Sequence, residues 1–237
     1  MLPMTTAMID MVAETLVVLD VPAAQDTGTM VNAVYRTVPK TGAPRVLATV
    51  RMRSMFQPGS DGSRRTAPFG RRFVSDVGAG GTVAHSDGES YTVHVFPVRG
   101  TPWRIESHAP ARAVTQADRD SVINQTLKTF RAPTVASLPP QLRAQLDAKF
   151  TTFPPLGLIR VLRDGTVWIR PVVMAGEAQA RWDVFSAEGA RLGQVRLPAS
   201  ARVKDGERGW VLVVQLNDDD VPTVVKYTVR QAINSRS

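Results

Sequence analysis

The histidines are the first candidates for chemistry, because the sequence has only three of them and no cysteine. His85 and His94 flank the segment 86–90, which carries Asp87 and Glu89. A hairpin would bring these side chains together, and imidazole with carboxylate is a combination that binds metal ions. The spacing matches no established metal motif. Ordinary strand and turn residues are therefore the favoured interpretation, and no metal or cofactor is predicted.

Other patterns associated with catalysis are weak. The acidic run 217–220 offers clustered oxygens for Ca²⁺ but lacks the glycine and the distant glutamate of an EF-hand loop, and it suits a hairpin turn equally well. The glycine-rich segment 78–81 lacks the lysine of a phosphate-binding loop, and the sequence has no G-x-S-x-G elbow. No catalytic residue is assigned on these grounds.

The charge balance is basic, with 29 Lys and Arg against 21 Asp and Glu, a formal charge of +8. Six arginines lie between residues 51 and 72, but only Phe56 and Phe69 accompany them for base stacking. The remaining positive charges are scattered, so nucleic acid is not the expected partner. No apolar run approaches the roughly 20 residues that a transmembrane helix requires.

A repeat organises the residues into short strands. Each copy has a brief apolar run, a turn that opens a strand, and then a hairpin with a glycine in its turn. One unit thus contains four strands in up-and-down order, which is the size of a propeller blade. The last copy has three strands of its own. The predicted fold is all-β, a β-propeller with about four blades of antiparallel sheet, at 5–51, 71–107, 156–198 and 201–230.

Two segments interrupt the repeat. Residues 52–70 are predicted to form a long loop, and the insert at about 109–154 is predicted to form two helices. Thr115 and Asp118 have the spacing of a capping box at the start of the first helix. The second helix is predicted to follow Pro140 and to keep one apolar stripe. That stripe consists of Leu142, Leu146, Phe150 and Phe153.

Several of these segments resemble bacterial six-bladed β-propeller proteins of the NHL-like type. The most similar stretch runs from LIRVLRDGTVWIRP at 158–171 to RWDVFSAEGARLGQVRLP at 181–198. The blade entry PFGRR at 68–72, the exit into the helical insert at 102–121 and the closing LNDDDVPTVVKYTV at 216–229 also match the pattern. The shared motifs are turn glycines and strand residues, so the resemblance implies a fold and no catalytic residue.

The resemblance also implies a larger and exported parent protein. Members of that group have six blades and an export signal, whereas this sequence has about four repeat units and no basic, uninterrupted apolar leader in its first twenty residues. We therefore expect residues 1–237 to form a single propeller domain that is the C-terminal portion of a longer chain. A self-closing four-bladed propeller is the rival interpretation.

The innermost strand of each blade lines the central channel of a propeller. Asp10, Asp76, Arg160 and Lys204 occupy comparable positions on successive inner strands, and they are the predicted ligand-binding residues. The alternative is that they form ion pairs or face water at a strand end. The predicted function is a non-enzymatic module that binds a protein or a small molecule. The runner-up is a propeller-type hydrolase or lyase with its site at the channel mouth.

Overall fold

A computed structural model describes residues 4–12, 15–22, 30–53, 57–58, 64–65, 69, 73–106, 111–147, 150–173, 176–216 and 221–229. Most of these residues are in strands, and the longer strands form four separate antiparallel sheets. Within each sheet, strands that follow one another in the chain lie side by side. The structure confirms the predicted all-β, propeller-like class, and each of the four sheets corresponds to one predicted repeat unit.

Blades 1 and 2 are four-stranded and follow the predicted up-and-down order. Residues buried on one face alternate with half-exposed or exposed residues, as at Ala33 and Tyr35 in the third strand, because successive side chains point to opposite faces. Blade 1 consists of β1 (Met4–Val12), β2 (Thr15–Pro22), β3 (Met30–Pro39) and β4 (Arg45–Arg53). Two short strands follow, β5 (Gln57–Pro58) and β6 (Arg64–Arg65). Blade 2 consists of β7 (Val74–Val77), β8 (Val83–Ser86), β9 (Thr92–Phe96) and β10 (Trp103–Glu106).

Blade 3 is complete, whereas the described part of blade 4 has three strands. The turn into the second strand of blade 3 contains Gly165 at φ +79°, a left-handed conformation that side chains disfavour. Blade 3 consists of β11 (Leu158–Val161), β12 (Val167–Arg170), β13 (Gln179–Phe185) and β14 (Arg191–Pro198). Blade 4 consists of β15 (Arg202–Glu207), β16 (Trp210–Leu216) and β17 (Pro222–Thr228).

The hydrophobic core is divided among the contacts between successive blades. One cluster joins blades 1 and 2 through Tyr35 and Val83, and a second joins blades 2 and 3 through Val95 and Ile169. A third cluster joins blades 3 and 4 and includes Trp182, whose side chain is fully buried. A sheet with a neighbour on each side, as in blades 2 and 3, buries both of its surfaces. Among the described residues, no cluster joins blade 4 to blade 1.

The structure confirms the first predicted helix of the insert, and the second helix is shorter than predicted. Helix α1 (Gln116–Phe130) begins at the predicted capping box, in which Thr115 Oγ1 accepts the backbone N–H of Asp118 and the Asp118 carboxylate accepts that of Thr115. Helix α2 (Pro140–Leu146) ends before Phe150 and Phe153, so the prediction of a four-residue helical stripe is wrong beyond Leu146.

The reason lies in the residues that follow the helix. Phe153 precedes two prolines, and a residue before proline is disfavoured in the helical conformation. Its backbone N–H instead donates to the carbonyl oxygen of Arg112 at 2.9 Å, beside the single bridge between Ala113 and Thr152. The Phe153 ring is buried and meets the ring of Phe69 edge to face, with centroids 5.0 Å apart.

Candidate functional site

The predicted channel residues all lie on the first strand of their blade. Asp10 is in β1 opposite Val17, and its side chain lies outside the described part of the structure. Asp76 is in β7, Arg160 is in β11 and Lys204 is in β15. The first strand of blade 3 packs against that of blade 2, which brings two of these side chains together.

Asp76 and Arg160 form an ion pair between blades 2 and 3. Arg160 Nη1 lies 3.0 Å from Asp76 Oδ1, and the second carboxylate oxygen accepts the backbone N–H of Val161 at 2.8 Å. Arg160 Nε also donates to the carbonyl oxygen of Val203 in blade 4, at 3.1 Å. One guanidinium therefore connects the first strands of three consecutive blades. Both side chains are about one quarter exposed, so water still reaches this pair.

A second pair links blades 3 and 4 close to the first. Arg163 forms an ion pair with Asp205, and its backbone N–H donates to the carbonyl oxygen of Gly206 at 3.0 Å. Lys204 lies between Val203 and Asp205, at the bulge in the pairing of β15 with β16. Lys204 is exposed, and no carboxylate among the described residues pairs with it. We call Asp76, Arg160, Arg163, Lys204 and Asp205 the inner charge row.

The inner charge row has an excess of positive charge, because three cations accompany two carboxylates. The carboxylates neutralise Arg160 and Arg163, which leaves the exposed ammonium of Lys204 as the uncompensated group. Sequence reasoning missed Arg163 and Asp205. Their pairing depends on how one blade packs on the next, and no spacing along the chain reveals it. The available signal was their location along the chain, with Arg163 in the turn that follows the first strand of blade 3 and Asp205 in the first strand of blade 4.

The two histidines of the predicted hairpin have different environments. They lie opposite each other in the pairing of β8 with β9, but His94 is exposed whereas His85 is buried. His85 is held in the contact between blades 1 and 2, with the ring of Phe73 stacked on it at 6.0 Å. Among the described residues, no group of three acidic or histidine side chains is placed to hold a metal ion.

The hydrogen bonds of His85 define its protonation state. Nε2 lies 3.3 Å from the carbonyl oxygen of Arg51, which can only accept, so Nε2 carries the proton. Nδ1 then accepts the hydroxyl of Tyr35 at 3.1 Å. Burial lowers the pKa of His85 from 6.5 to about 4, against the smaller opposing effects of the Arg51 carbonyl and of Asp87. Burial also raises the pKa of Tyr35 to about 12, despite a hydrogen bond from Ser75.

Both ring nitrogens of His85 are thus satisfied inside the blade contact, and the ring is neutral at pH 7. A buried and fully bonded imidazole of this kind specifies how the two sheets pack. A related polar contact joins blades 2 and 3, where Tyr91 donates its hydroxyl to Asp183 Oδ2 at 3.2 Å. Burial and the Asp183 charge raise the pKa of Tyr91 above its ordinary value.

Two other candidates from the sequence fall largely outside the described residues. The acidic run 217–220 lies there entirely, as do Arg71 and Arg72 of the arginine cluster. Arg51 is described, and it is exposed at the end of a strand. No described helix combines the length and the apolar character needed to cross a membrane.

Comparisons with known proteins add little to this description. No family model matches the chain, and no curated protein matches it. Among solved structures, one described as a streptogramin B lyase structure aligns over 92% of this chain and 77% of its own, at 8% identity and a TM-score of 0.25. A similarity this distant does not extend to activity. The propeller-like fold rests on the four sheets, and membership of the NHL-like group with six blades stays a prediction.

Proposed function

We propose that this chain is a propeller-type binding module that holds an anionic group of its ligand at the inner charge row. The observation that carries the proposal is the exposed Lys204, which follows Val203, the residue whose carbonyl oxygen anchors Arg160. Arg160 is held by both Asp76 and that carbonyl, so its position is largely set before a ligand arrives. A fixed guanidinium and an exposed ammonium on the first strands of neighbouring blades suit a carboxylate or a phosphate.

The arrangement of the row favours binding over the hydrolase or lyase alternative. The Asp76 carboxylate accepts a guanidinium N–H at one oxygen and a backbone N–H at the other, so both of its oxygens are already engaged. Asp205 is paired with Arg163, and the other three members of the row are cations. Such groups supply attraction and orientation for a ligand, and the predicted ligand is a small anion or an acidic segment of a protein.

A titration with citrate tests the proposal, because citrate carries several carboxylates. Its heat of dilution is small when the citrate and protein solutions share one buffer. Wild type should bind citrate in isothermal titration calorimetry at low salt, and Lys204→Gln should weaken the affinity by a factor of about two to five, since an exposed charge contact contributes up to about 1 kcal/mol. The matched control is Lys128→Gln, which removes an exposed charge from α1.

The comparison between the two lysine variants decides the outcome. Attraction to net charge alone would weaken citrate binding equally in Lys204→Gln and Lys128→Gln, and that result would contradict the proposal. Failure of wild type to bind citrate or inorganic phosphate at millimolar concentration would contradict it too. Each titration is also repeated with added sodium chloride, at one ionic strength for all three proteins. Added salt should weaken citrate binding, because screening weakens every exposed charge contact.

A further inference from the structure

The two outer strands of blade 3 present charged side chains on the face towards blade 2. In β13, Trp182 belongs to the core cluster shared with blade 4, so its neighbours Arg181 and Asp183 lie on the opposite face. In β14, Arg196 and Gln194 lie directly across from these two residues and share their face. This part of the contact between blades 2 and 3 is therefore polar.

A buried carboxylate holds two arginines in this region. Asp183 is 7% exposed, and its carboxylate accepts the hydroxyl of Tyr91 in blade 2 at 3.2 Å and Gln194 Nε2 at 2.8 Å. Arg191 Nη2 lies 3.3 Å from Asp183 Oδ1, and Arg181 Nη2 lies 3.6 Å from Asp183 Oδ2. The two arginine side chains are 57% and 50% exposed. Asp183 thus orients both guanidiniums and leaves about half of each side chain in water.

Arg196 adds a third positive charge, and no carboxylate among the described residues lies within ion-pair distance of it. It is exposed and lies directly opposite Arg181, an arrangement of like charges that destabilises a sheet. Glu177, which precedes β13, forms an ion pair with Arg112. We call Arg181, Arg191 and Arg196 the outer arginine patch. One buried carboxylate accompanies its three guanidiniums, so the patch has an excess of positive charge.

The strands that carry the outer arginine patch are longer than those they face. β13 and β14 contain 7 and 8 residues, whereas β9 and β10 of blade 2 contain 5 and 4. Along β14, Leu192 is the extra residue of a bulge, so Arg191 and Arg196 are about four strand positions, or roughly 13 Å, apart. β14 is also the outermost strand of its sheet, and no described strand pairs with its other edge.

We propose that the outer arginine patch binds an extended acidic segment of a partner protein, which lies along β14. Alternate side chains of an extended chain lie on one face about 7 Å apart, so carboxylates at every second residue reach both ends of the patch. A single small anion reaches only one end. The planar guanidinium is well suited to a carboxylate, because it donates two parallel hydrogen bonds.

The aromatic residues beside the patch favour a protein segment over nucleic acid. Tyr91 is bonded to Asp183, and Phe185 is buried in the core between blades 2 and 3. Neither ring offers an open face on which a base could stack. The patch is also separate from the inner charge row, since it lies on the outer strands of blade 3 and the row lies on or beside first strands.

Fluorescence anisotropy of a labelled peptide tests the proposal. The probe has eight residues, with glutamate and serine in alternation, which places all four carboxylates on one face of an extended chain. Wild type should bind it more tightly than a peptide in which the four glutamates precede the four serines. Equal affinity for the two peptides would overturn the proposal, because net charge alone would then explain binding. Absence of binding at millimolar concentration would overturn it as well.

Variants locate the binding site on the chain. Arg196→Gln should weaken binding of the alternating peptide by a factor of about two to five, the range expected for one exposed charge contact. The double variant Arg191→Gln/Arg196→Gln should weaken it about tenfold. The matched control is Arg45→Gln, because Arg45 is exposed and begins the outer strand of blade 1 as Arg191 begins that of blade 3. Equal losses in Arg45→Gln and Arg196→Gln would contradict the proposal.

Thermal denaturation separates loss of binding from loss of folding. Arg196→Gln should not lower Tm, since it removes one of two like charges that face each other. A clear fall in Tm would mean that contacts within the chain already hold Arg196, and it would overturn the proposal.

Two further results would assign the peptide or the patch differently. A larger loss of peptide binding in Lys204→Gln than in Arg196→Gln would place the peptide at the inner charge row and overturn the proposal. So would a single-stranded oligonucleotide of eight nucleotides that binds more tightly than the peptide and is weakened by Arg196→Gln, because the patch would then recognise nucleic acid.

Discussion

Acidification should destabilise the contact between blades 1 and 2 through His85. This side chain is 2% exposed and is neutral in the folded state, where its pKa is about 4 against an ordinary value of 6.5. Between these two pH values the unfolded chain binds a proton that the folded chain does not. The stability that depends on neutral His85 is therefore fully present above pH 6.5 and is lost as the pH falls towards 4.

The size of the effect follows from the difference in pKa. A difference of about 2.5 pH units corresponds to roughly 3 kcal/mol in full, and about 2 kcal/mol of it should appear between pH 7 and pH 5. The change between pH 7 and pH 5 is the one to measure, because most carboxylates are still ionised at pH 5 and contribute little to it. His94 and Asp87 also act on the charge of this ring, in opposite directions and more weakly than burial.

Urea denaturation followed by circular dichroism measures this change. The free energy of unfolding of wild type should fall by about 2 kcal/mol from pH 7 to pH 5. The variant His85→Gln should be less stable at pH 7 and should lose most of that pH dependence. The control His94→Gln removes the exposed histidine opposite and should keep nearly all of it.

Two results would refute this reasoning. One is a change of less than about 0.5 kcal/mol for wild type, which would mean that His85 is solvated or protonated in the folded protein. The other is an equal pH dependence in His85→Gln and wild type, which would assign the effect to other groups. In either case the hydrogen bonds to Tyr35 and to the Arg51 carbonyl would not describe the protein in solution.

The remaining predictions concern stability at single positions. Gly78→Ala should lower the free energy of unfolding by about 3 kcal/mol, because a Cβ at this position would lie 2.3 Å from Val161 Cγ1 in the next blade. Thermal denaturation checks it against Gly80→Ala, whose Cβ would meet no atom within 4 Å and whose effect should come only from backbone strain at φ +80°. Thr115→Ala should cost about 1 kcal/mol by removing the cap of α1, and Thr115→Ser should restore most of it in urea denaturation. An unchanged stability in Gly78→Ala would contradict the close approach of blades 2 and 3.

Features that depend on local chemistry were predictable from the sequence. The capping box of α1 requires two side chains three residues apart, and the structure has it where the spacing predicts. The alternation of apolar residues and the turn glycines likewise predict the strands of all four blades, including the three strands of the last blade among the described residues. Strand alternation is a property of neighbouring residues, so a sequence shows it directly.

The end of the insert was not predictable in the same way. Leu142 and Leu146 continue to Phe150 at helical spacing, but the backbone of Phe153 pairs with Arg112, about forty residues earlier in the chain. Periodicity does not reveal such a partner. A tertiary hydrogen bond and the two following prolines therefore override the helical pattern.

The charged candidate residues show most clearly which features follow from the repeat and which depend on tertiary packing. The repeat pattern was enough to predict that Asp76, Arg160 and Lys204 lie on the first strands of successive blades, because the strand order follows from the repeat. The packing of the blades, and not the repeat, shows that Arg160 contacts Asp76 and the carbonyl oxygen of Val203, and that His85 is buried beside Tyr35. The physical reason is that strand formation depends on neighbouring residues. Burial, ion pairing and the pKa of a side chain depend instead on which sheet packs against it.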